Sequence, residues 1–257
     1  MYEAMMIAAS GLKNQQYRLD TIANNVANVN SSAYKSVRLD FKDALYTAGI
    51  VPAKPRSPDG NQQKGHGVMV AGVSKDFSVG NMQRTDRPLD AAIEGEGFFE
   101  LGDRDGSIVY TRNGVFSLSV EEGGDFLVNG DGLYLLDAGG NRISVPYGTD
   151  TISINTDGTI SFSAFEEETT VKIGVYTFRN ITGLLSVGDG DYAESAASGE
   201  KLPADGATVR SGMIEGSNVN LAEEMTRLIR TQRTFQLSSR ALTTADEMEG
   251  IANNMRR

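Results

Sequence analysis

The chain has 257 residues, 39% hydrophobic and 23% charged, which is enough apolar material to bury a core and to build more than one structural unit. Without a cysteine it has no disulfide framework, no thiolate metal site and no thiol nucleophile. The formal charge of -10 comes with no basic cluster to release phosphate counterions, and no stretch reaches the roughly 18 apolar residues that cross a bilayer, so neither nucleic-acid binding nor membrane insertion is expected.

The opening Met1-Tyr2-Glu3-Ala4 lacks a basic segment, and the apolar run Met5–Ala9 is too short for a secretory signal. If the chain is exported, a route without a cleaved signal is expected. Residues 5 to 29 then carry a heptad stripe of Met5, Ala8, Leu12, Leu19, Ile22, Val26 and Val29. So narrow a seam predicts a helix that needs a partner helix rather than a broad core. Four asparagines, Asn24, Asn25, Asn28 and Asn30, follow within seven residues, where they weaken a helix and favour capping and tight turns. Residues 1–46 are expected to form this helix and its Asn-rich turn.

Residues 47–67 are expected to form a linker, because Pro52, Pro55 and Pro58 are half of the six prolines and cannot continue a helix. The single histidine, His66, sits between two glycines there and is expected to be a loop residue without a role. Residues 68–210 are expected to form an antiparallel β domain of sandwich or barrel type. Short β-branched and aromatic runs (Val68–Val73, Phe98–Leu101, Ile108–Thr111, Val115–Ser119, Leu133–Leu136, Thr151–Ile154, Thr159–Ser163, Val171–Phe178) alternate with Asp105-Gly106, Asn113-Gly114, Asn129-Gly130, Asp131-Gly132 and Asp157-Gly158. The cleanest hairpin folds about Thr156-Asp157-Gly158.

Residues 211–257 carry the second seam, Leu221, Met225, Leu228, Phe235, Leu242 and Ala245, with Asn220 as N-cap and Glu223 at the third helical position. The whole is an α+β chain with its two terminal helices packed together in a coiled-coil-like layer. Charge divides accordingly. Residues 1–46 hold five Lys/Arg against four Asp/Glu, residues 211–257 hold six of each, and residues 47–210 hold thirteen against twenty-four. Near-neutral ends can lie beside copies of themselves, while an acidic middle favours water.

Chemistry is sparse. Asp103-Arg104-Asp105-Gly106 opens like a calcium loop, but Gly114 stands where the bidentate Glu belongs, so a turn is expected. Glu94 and Glu96 alternate with glycines; they could be a hydrolase's carboxylate pair or simply turn residues. No enzyme activity, cofactor or metal is expected.

Several ordered motifs resemble the flagellar basal-body rod and hook family of axial proteins. They are Ala8-Ala9-Ser10-Gly11-Leu12, Leu19–Asn30, Arg87–Phe99, Tyr110-Thr111-Arg112-Asn113-Gly114, Gly216-Ser217-Asn218-Val219-Asn220, Glu223-Glu224-Met225 and Thr231–Phe235. The opening is most like the distal-rod branch, whereas Gly212–Asn220 looks more like the proximal-rod branch. Ser32-Ala33-Tyr34-Lys35 departs from the family's commoner Thr-Gly-Phe-Lys. The resemblance implies a hollow helical polymer with the helices inside and the β domain outside. It also implies passage through the type III export apparatus, partners among other rod, hook and ring proteins, and a basal-body, extracytoplasmic location. On this basis Leu12, Leu19, Ile22 and Val26 are expected to pack against Leu228, Phe235 and Leu242 or their copies. Asn24, Asn25, Asn28, Asn218 and Asn220 are expected to fix turns and lateral contacts. A secreted adhesin or ligand-binding β domain on a helical stalk is the alternative.

Overall fold

A computed structural model describes residues 2–44, 47–48, 63–64, 67–121, 124–164, 167–204 and 206–255. The chain divides into two units, one of Met1–Ala27, Val37–Lys75 and Asn220–Arg257, the other of Asn28–Ser36 and Asp76–Val219.

The first unit is built on α1 (Tyr2–Ala27) and α2 (Leu221–Asn254). They run antiparallel: Gln15 and Arg18 line one cavity with Arg227, Arg230 and Thr231, while Ile22 and Asn25 line another with Glu224. α2 starts where Asn220 Oδ1 accepts the backbone N–H groups of Ala222 and Glu223 at 3.1 and 3.4 Å, satisfying donors that have no partner inside the helix. Glu223 and Glu224 then lie in its first turn, where the helix dipole favours negative charge, and both bond Arg227. A second side of α1 is polar. Ser10 and Asn14 bond the Val68 carbonyl, and Asn25 takes the place of a strand partner, donating to the Val37 carbonyl and accepting its N–H, both at 2.9 Å. These bonds fasten an antiparallel ribbon, Val37–Asp43 against Val68–Lys75, onto the helix; a two-stranded ribbon alone is marginal in water. The ribbon corrects the sequence-based boundaries: residues 37–43 are strand rather than helix or turn, and residues 68–75 belong with the helices. α1 also stops at Ala27, so Val29 lies in the turn rather than on the seam. Most of the proposed linker, with Pro52, Pro55, Pro58 and His66, lies outside the described residues.

The second unit is antiparallel β structure. Its main sheet runs in the order Ser144–Val145, Gly124–Val128, Tyr134–Leu135, Phe98–Gly102, Ile108–Thr111, Asp191–Ala193, Leu185–Gly188. A three-stranded sheet of Thr149–Ile154, Thr159–Ala164 and Glu167–Lys172 packs its Ile154, Ile160 and Phe162 into the same core as Phe99, Leu101, Phe116 and Leu135. The expected hairpin is present, with Ile154 opposite Ile160 and Gly158 at φ +79°. The run Val171–Phe178 is two strands broken at Gly174. Asn113-Gly114 is no positive-φ turn. There a Cβ would stand 1.6 Å from the Ala91 carbonyl oxygen, so Gly114 is required by close approach of two backbones. The segment 211–219, assigned to the C-terminal helix from sequence, instead carries the strand Met213–Glu215, paired with Met82–Arg84.

One buried ionic cluster ties this unit together. Glu215 accepts from Lys35 Nζ at 2.6 Å, from the Gly80 N–H at 2.7 Å and from Arg112 at 3.0 Å, with all three charged side chains almost fully buried. Lys35 also donates to the Ser78 carbonyl, and Arg112 to that of Gly95 while lying over the Phe98 ring. Asn218 adds the backbone N–H of Ser36 and the Asp76 carbonyl, both at 2.7 Å. Burial pushes the Glu215 carboxyl up, but Arg112, the Gly80 N–H and Lys35 outweigh it and hold it below the usual carboxylate range. Just before Lys35, buried Ala33 occupies the left-handed region at φ +55°, a conformation that glycine adopts far more readily than a residue with a Cβ.

Glu215→Ala strands two buried cations and should lower stability by about 3–5 kcal/mol, read as a shifted urea midpoint. Because the folded carboxyl titrates below its unfolded value of about 4.3, its contribution is present above that pH and is lost as pH falls through the folded value, so Glu215→Gln should flatten the acid limb of the stability profile. At the turn, Ala33→Gly should change stability by no more than about 1 kcal/mol, since relief of roughly 1–2 kcal/mol of left-handed strain is offset by a lost methyl and a looser unfolded chain. Ala33→Val should cost several-fold more in the same titration, because a β-branched side chain tolerates positive φ poorly.

Candidate assembly site

The helix pair buries residues in alternating steps of four and three. On α2 the inward positions are Glu224, Leu228, Thr231, Phe235, Ser238, Leu242, Ala245 and Glu249, a strict heptad face. On α1 they are Ala8, Leu12, Gln15, Leu19, Ile22 and Val26. The expected seam residues lie on these faces: Ile22 is 4% exposed, while Leu12, Leu19, Val26, Leu228, Phe235 and Leu242 are each half-buried. A seam that is not fully covered leaves some apolar surface accessible along the pair. Met225, expected on the seam, lies off it at 40% exposure because Glu224 takes the inward position; Leu221, in phase with the seam, stays exposed at the helix start.

The seam has a polar layer that a list of hydrophobic residues skips. Gln15 and Thr231 face a cavity of about 250 Å³ lined also by Arg18, Arg227, Arg230 and Thr234. The gaps between Leu12 and Leu19 and between Leu228 and Phe235 fall one step into the same heptad, so filling the repeat with whatever residue stands there finds them. Polar pairs at such positions fix register at some cost in stability.

The asparagines divide by unit. Asn25 is buried and clamps the ribbon, and Asn220 caps α2. In the second unit Asn28 Oδ1 accepts from Ser31 Oγ at 3.1 Å in the turn after α1, and Asn218 bridges Ser36 to Asp76. Asn24 is exposed and lines an open, mostly apolar groove of about 610 Å³ with Tyr17, Leu39, Val70 and Val73. Sequence reasoning missed Ser10 and Asn14, which repeat the Asn25 clamp three turns earlier on α1. It also passed over Lys35 and Arg112 as functional residues, although both stand in the quoted motifs.

The carboxylates considered for hydrolysis are arranged for another purpose. Glu94 and Glu96 are both exposed, and Glu94 bonds Arg210 at 2.8 Å and Thr208 at 3.2 Å. The Arg210 hydrogen bond holds Glu94 below the usual carboxylate range, the opposite of what a general acid requires. Among the described residues, no group of three or more His, Cys, Asp or Glu is placed to hold a metal ion, and no helix is long and apolar enough to cross a membrane.

Three family profiles match in chain order: flagella basal body rod protein over residues 5–35, flagellar hook protein FlgE/F/G D1 domain over 92–162, and flagellar basal body rod FlgEFG protein C-terminal over 210–255. The first covers α1 and its turn, and the last covers Glu215, Asn218 and α2. The flagellar basal-body rod proteins FlgG of Borreliella burgdorferi and of Bacillus subtilis are each 36% identical to the chain across 100% of both sequences. The flagellar hook-basal body complex protein FlhP of Bacillus subtilis is 31% identical, again across 100% of both. End-to-end identity at this level, with the seams and the ionic cluster inside the matched regions, shows that the chain belongs to the flagellar basal-body rod protein family.

Proposed function

We propose that the chain is a structural subunit of the bacterial flagellar basal-body rod, in its distal segment, and that it polymerises through α1 and α2 into a hollow helical shaft. The observation that carries this is the half-covered seam. A single chain leaves Leu12, Leu19, Leu228, Phe235 and Leu242 partly wet, and copies of the same helix pair can cover what remains. These side chains are already mostly covered in the single chain, so burying what remains of each adds only a fraction of the about 1.5–3 kcal/mol that full burial of a Leu or Phe contributes; summed along the seam, that gain makes helices that are marginal in the monomer stable in the polymer. The contact is heterologous and does not close, which generates a shaft rather than a ring. The near-neutral ends suit close helix packing, and the acidic middle suits an outer, solvated position.

Transport and location complete the proposal. A chain with no cysteine forms no disulfide that would block threading, which suits passage in unfolded form through the type III export apparatus to the growing tip. The subunit then lies outside the cytoplasm, next to other rod, hook and ring proteins, and its work is to transmit torque around a channel rather than to catalyse a reaction. The relatives are rod and hook-basal-body proteins, which gives the adhesin alternative no support.

Leu19→Asp or Leu228→Asp should abolish rod assembly while the β unit of the purified chain keeps its urea midpoint within about 0.5 kcal/mol, since that unit is separate. Normal rods from either variant would refute the seam. Electron microscopy of basal bodies from a deletion strain should show rods cut short of their distal segment; loss of the proximal segment would reassign the chain to the other branch.

A further inference from the structure

Two surfaces of the helical unit stay open on opposite sides of the helix pair. At 3.6 residues per turn, Tyr17 and Asn24 point away from the direction of Gln15 and Ile22, so they stand on the side of α1 remote from α2. The ribbon forms the other wall there: Tyr17 (44% exposed) and Asp20 line the groove of about 610 Å³ with Leu39, Val70 and Val73 (66% exposed). By the same spacing Arg233 points away from the direction of Thr231, on the side of α2 remote from α1, and Leu237 (66% exposed) follows one turn later. Leu237 leans toward the flank that carries Arg227 and Arg230, which is the flank where Arg18 and Arg227 share a cavity with Leu39 and Phe41 of the ribbon. Among the described residues neither Asp20 nor Arg233 has an ion pair. One side of the pair therefore offers an apolar groove with an acid at its edge, and the other an apolar side chain with a base beside it.

We propose that the groove of one copy receives the outer side of α2 from the next copy, with Leu237 between Tyr17 and the ribbon and Arg233 on Asp20. Within one chain Gln15 and Thr231 line one cavity and Ile22 and Glu224 another, which puts Tyr17 about level with Ile229 and Asp20 about level with Thr226. Sliding the next copy along the helix axis by roughly seven or eight residues, about 11 Å, brings Leu237 to Tyr17 and Arg233 to Asp20, so one displacement serves the apolar and the charged contact. It also brings Lys13 level with Arg240, an exposed like-charged pair whose long stems let both heads reach water. Donor and acceptor lie on opposite sides of the pair, so copies stand side by side in the order α2–α1, α2–α1, and each new copy is one full pair further on, touching only its neighbour's free side. Helix directions are unchanged, and α1 meets the next α2 antiparallel, as it meets its own. With an axial step at every contact the row winds as a helix and cannot close into a ring. The inference rests on the rod assignment and names the surface by which successive subunits add.

The chain has no native cysteine, so disulfide trapping reads the contact directly in flagellated cells expressing the full chain. Mild oxidation of rods carrying both Val73→Cys and Leu237→Cys should give a ladder of covalent multimers, while either substitution alone should not; within one chain the two positions lie on opposite sides of the helix pair and cannot join. Asp20→Arg alone and Arg233→Asp alone should each lower rod yield and swimming at least about tenfold by opposing like charges, and the double swap should recover most of it. Rods that incorporate the double-cysteine chain without a ladder, or reversals that are harmless or not rescued by the swap, would overturn the contact while leaving the rod assignment intact; if the double-cysteine chain fails to enter rods, the charge swap decides alone. A Val73→Cys thiol shielded from maleimide in the purified monomer would place another part of the same chain in the groove and overturn the contact as well. Absence of the wild-type chain from purified rods would remove the assignment itself, and the contact with it.

Discussion

Two helices drawn from opposite ends of the chain must lie side by side, and much else in the molecule follows from that constraint. A strict alternation of four- and three-residue steps presents a narrow face, which only another helix can cover. For α1 and α2 to meet antiparallel, everything between Ala27 and Asn220 has to leave and return, and it does so as an antiparallel β unit and a ribbon clamped by Ser10, Asn14 and Asn25. The seam remains half-wet in one chain. On the proposed assembly, this uncovered part of the seam is interaction surface for a polymer, which links stability and assembly through the same side chains.

The buried cluster at Glu215 handles the return of the chain within the β unit. Residues 35, 78–80, 95, 112 and 215 are far apart in sequence, and a shared carboxylate brings their backbones to one point. Such a cluster is a poor source of net stability, because desolvating two cations and a carboxylate costs about what their attraction returns. Burial pushes the Lys35 ammonium below its usual value of 10.5 even against the bond to Glu215, so the folded state gives up that proton first and the cost of holding it eases as pH rises. What the cluster supplies is uniqueness. An alternative path for residues 28–36 would leave a charge without a partner in an apolar interior, at a cost of several kcal/mol.

How much of this was legible in the sequence depends on the range over which each signal acts. Local signals located local elements: helical periodicity gave α1 and α2, capping chemistry gave Asn220, and alternating β-branched runs around an Asp-Gly turn gave the Thr156-Asp157-Gly158 hairpin. The strand Val37–Asp43 was missed because its neighbours are an Asn-rich turn and a Pro-rich stretch, and its partner lies about thirty residues away. Met225 was placed on the seam because a search for apolar residues prefers it to Glu224, whereas the helix geometry puts the glutamate inward and keeps it there through Arg227. The ionic cluster is a tertiary event: Arg112 and Glu215 are 103 positions apart, and no local pattern joins them. Resemblance to the rod and hook family flagged most of these residues as part of a pattern without saying what they touch.

The central claim is that helix formation and polymerisation are one process. Amide hydrogen exchange compares the purified monomer with assembled rods position by position, and so tests it most directly. In the monomer the amides of α1 and α2 should exchange readily while those of Phe98–Gly102 and Ile108–Thr111 are protected; in rods the helical amides should slow by orders of magnitude and the strand amides should hardly change. Helices already as protected in the monomer as in the rod would contradict the account.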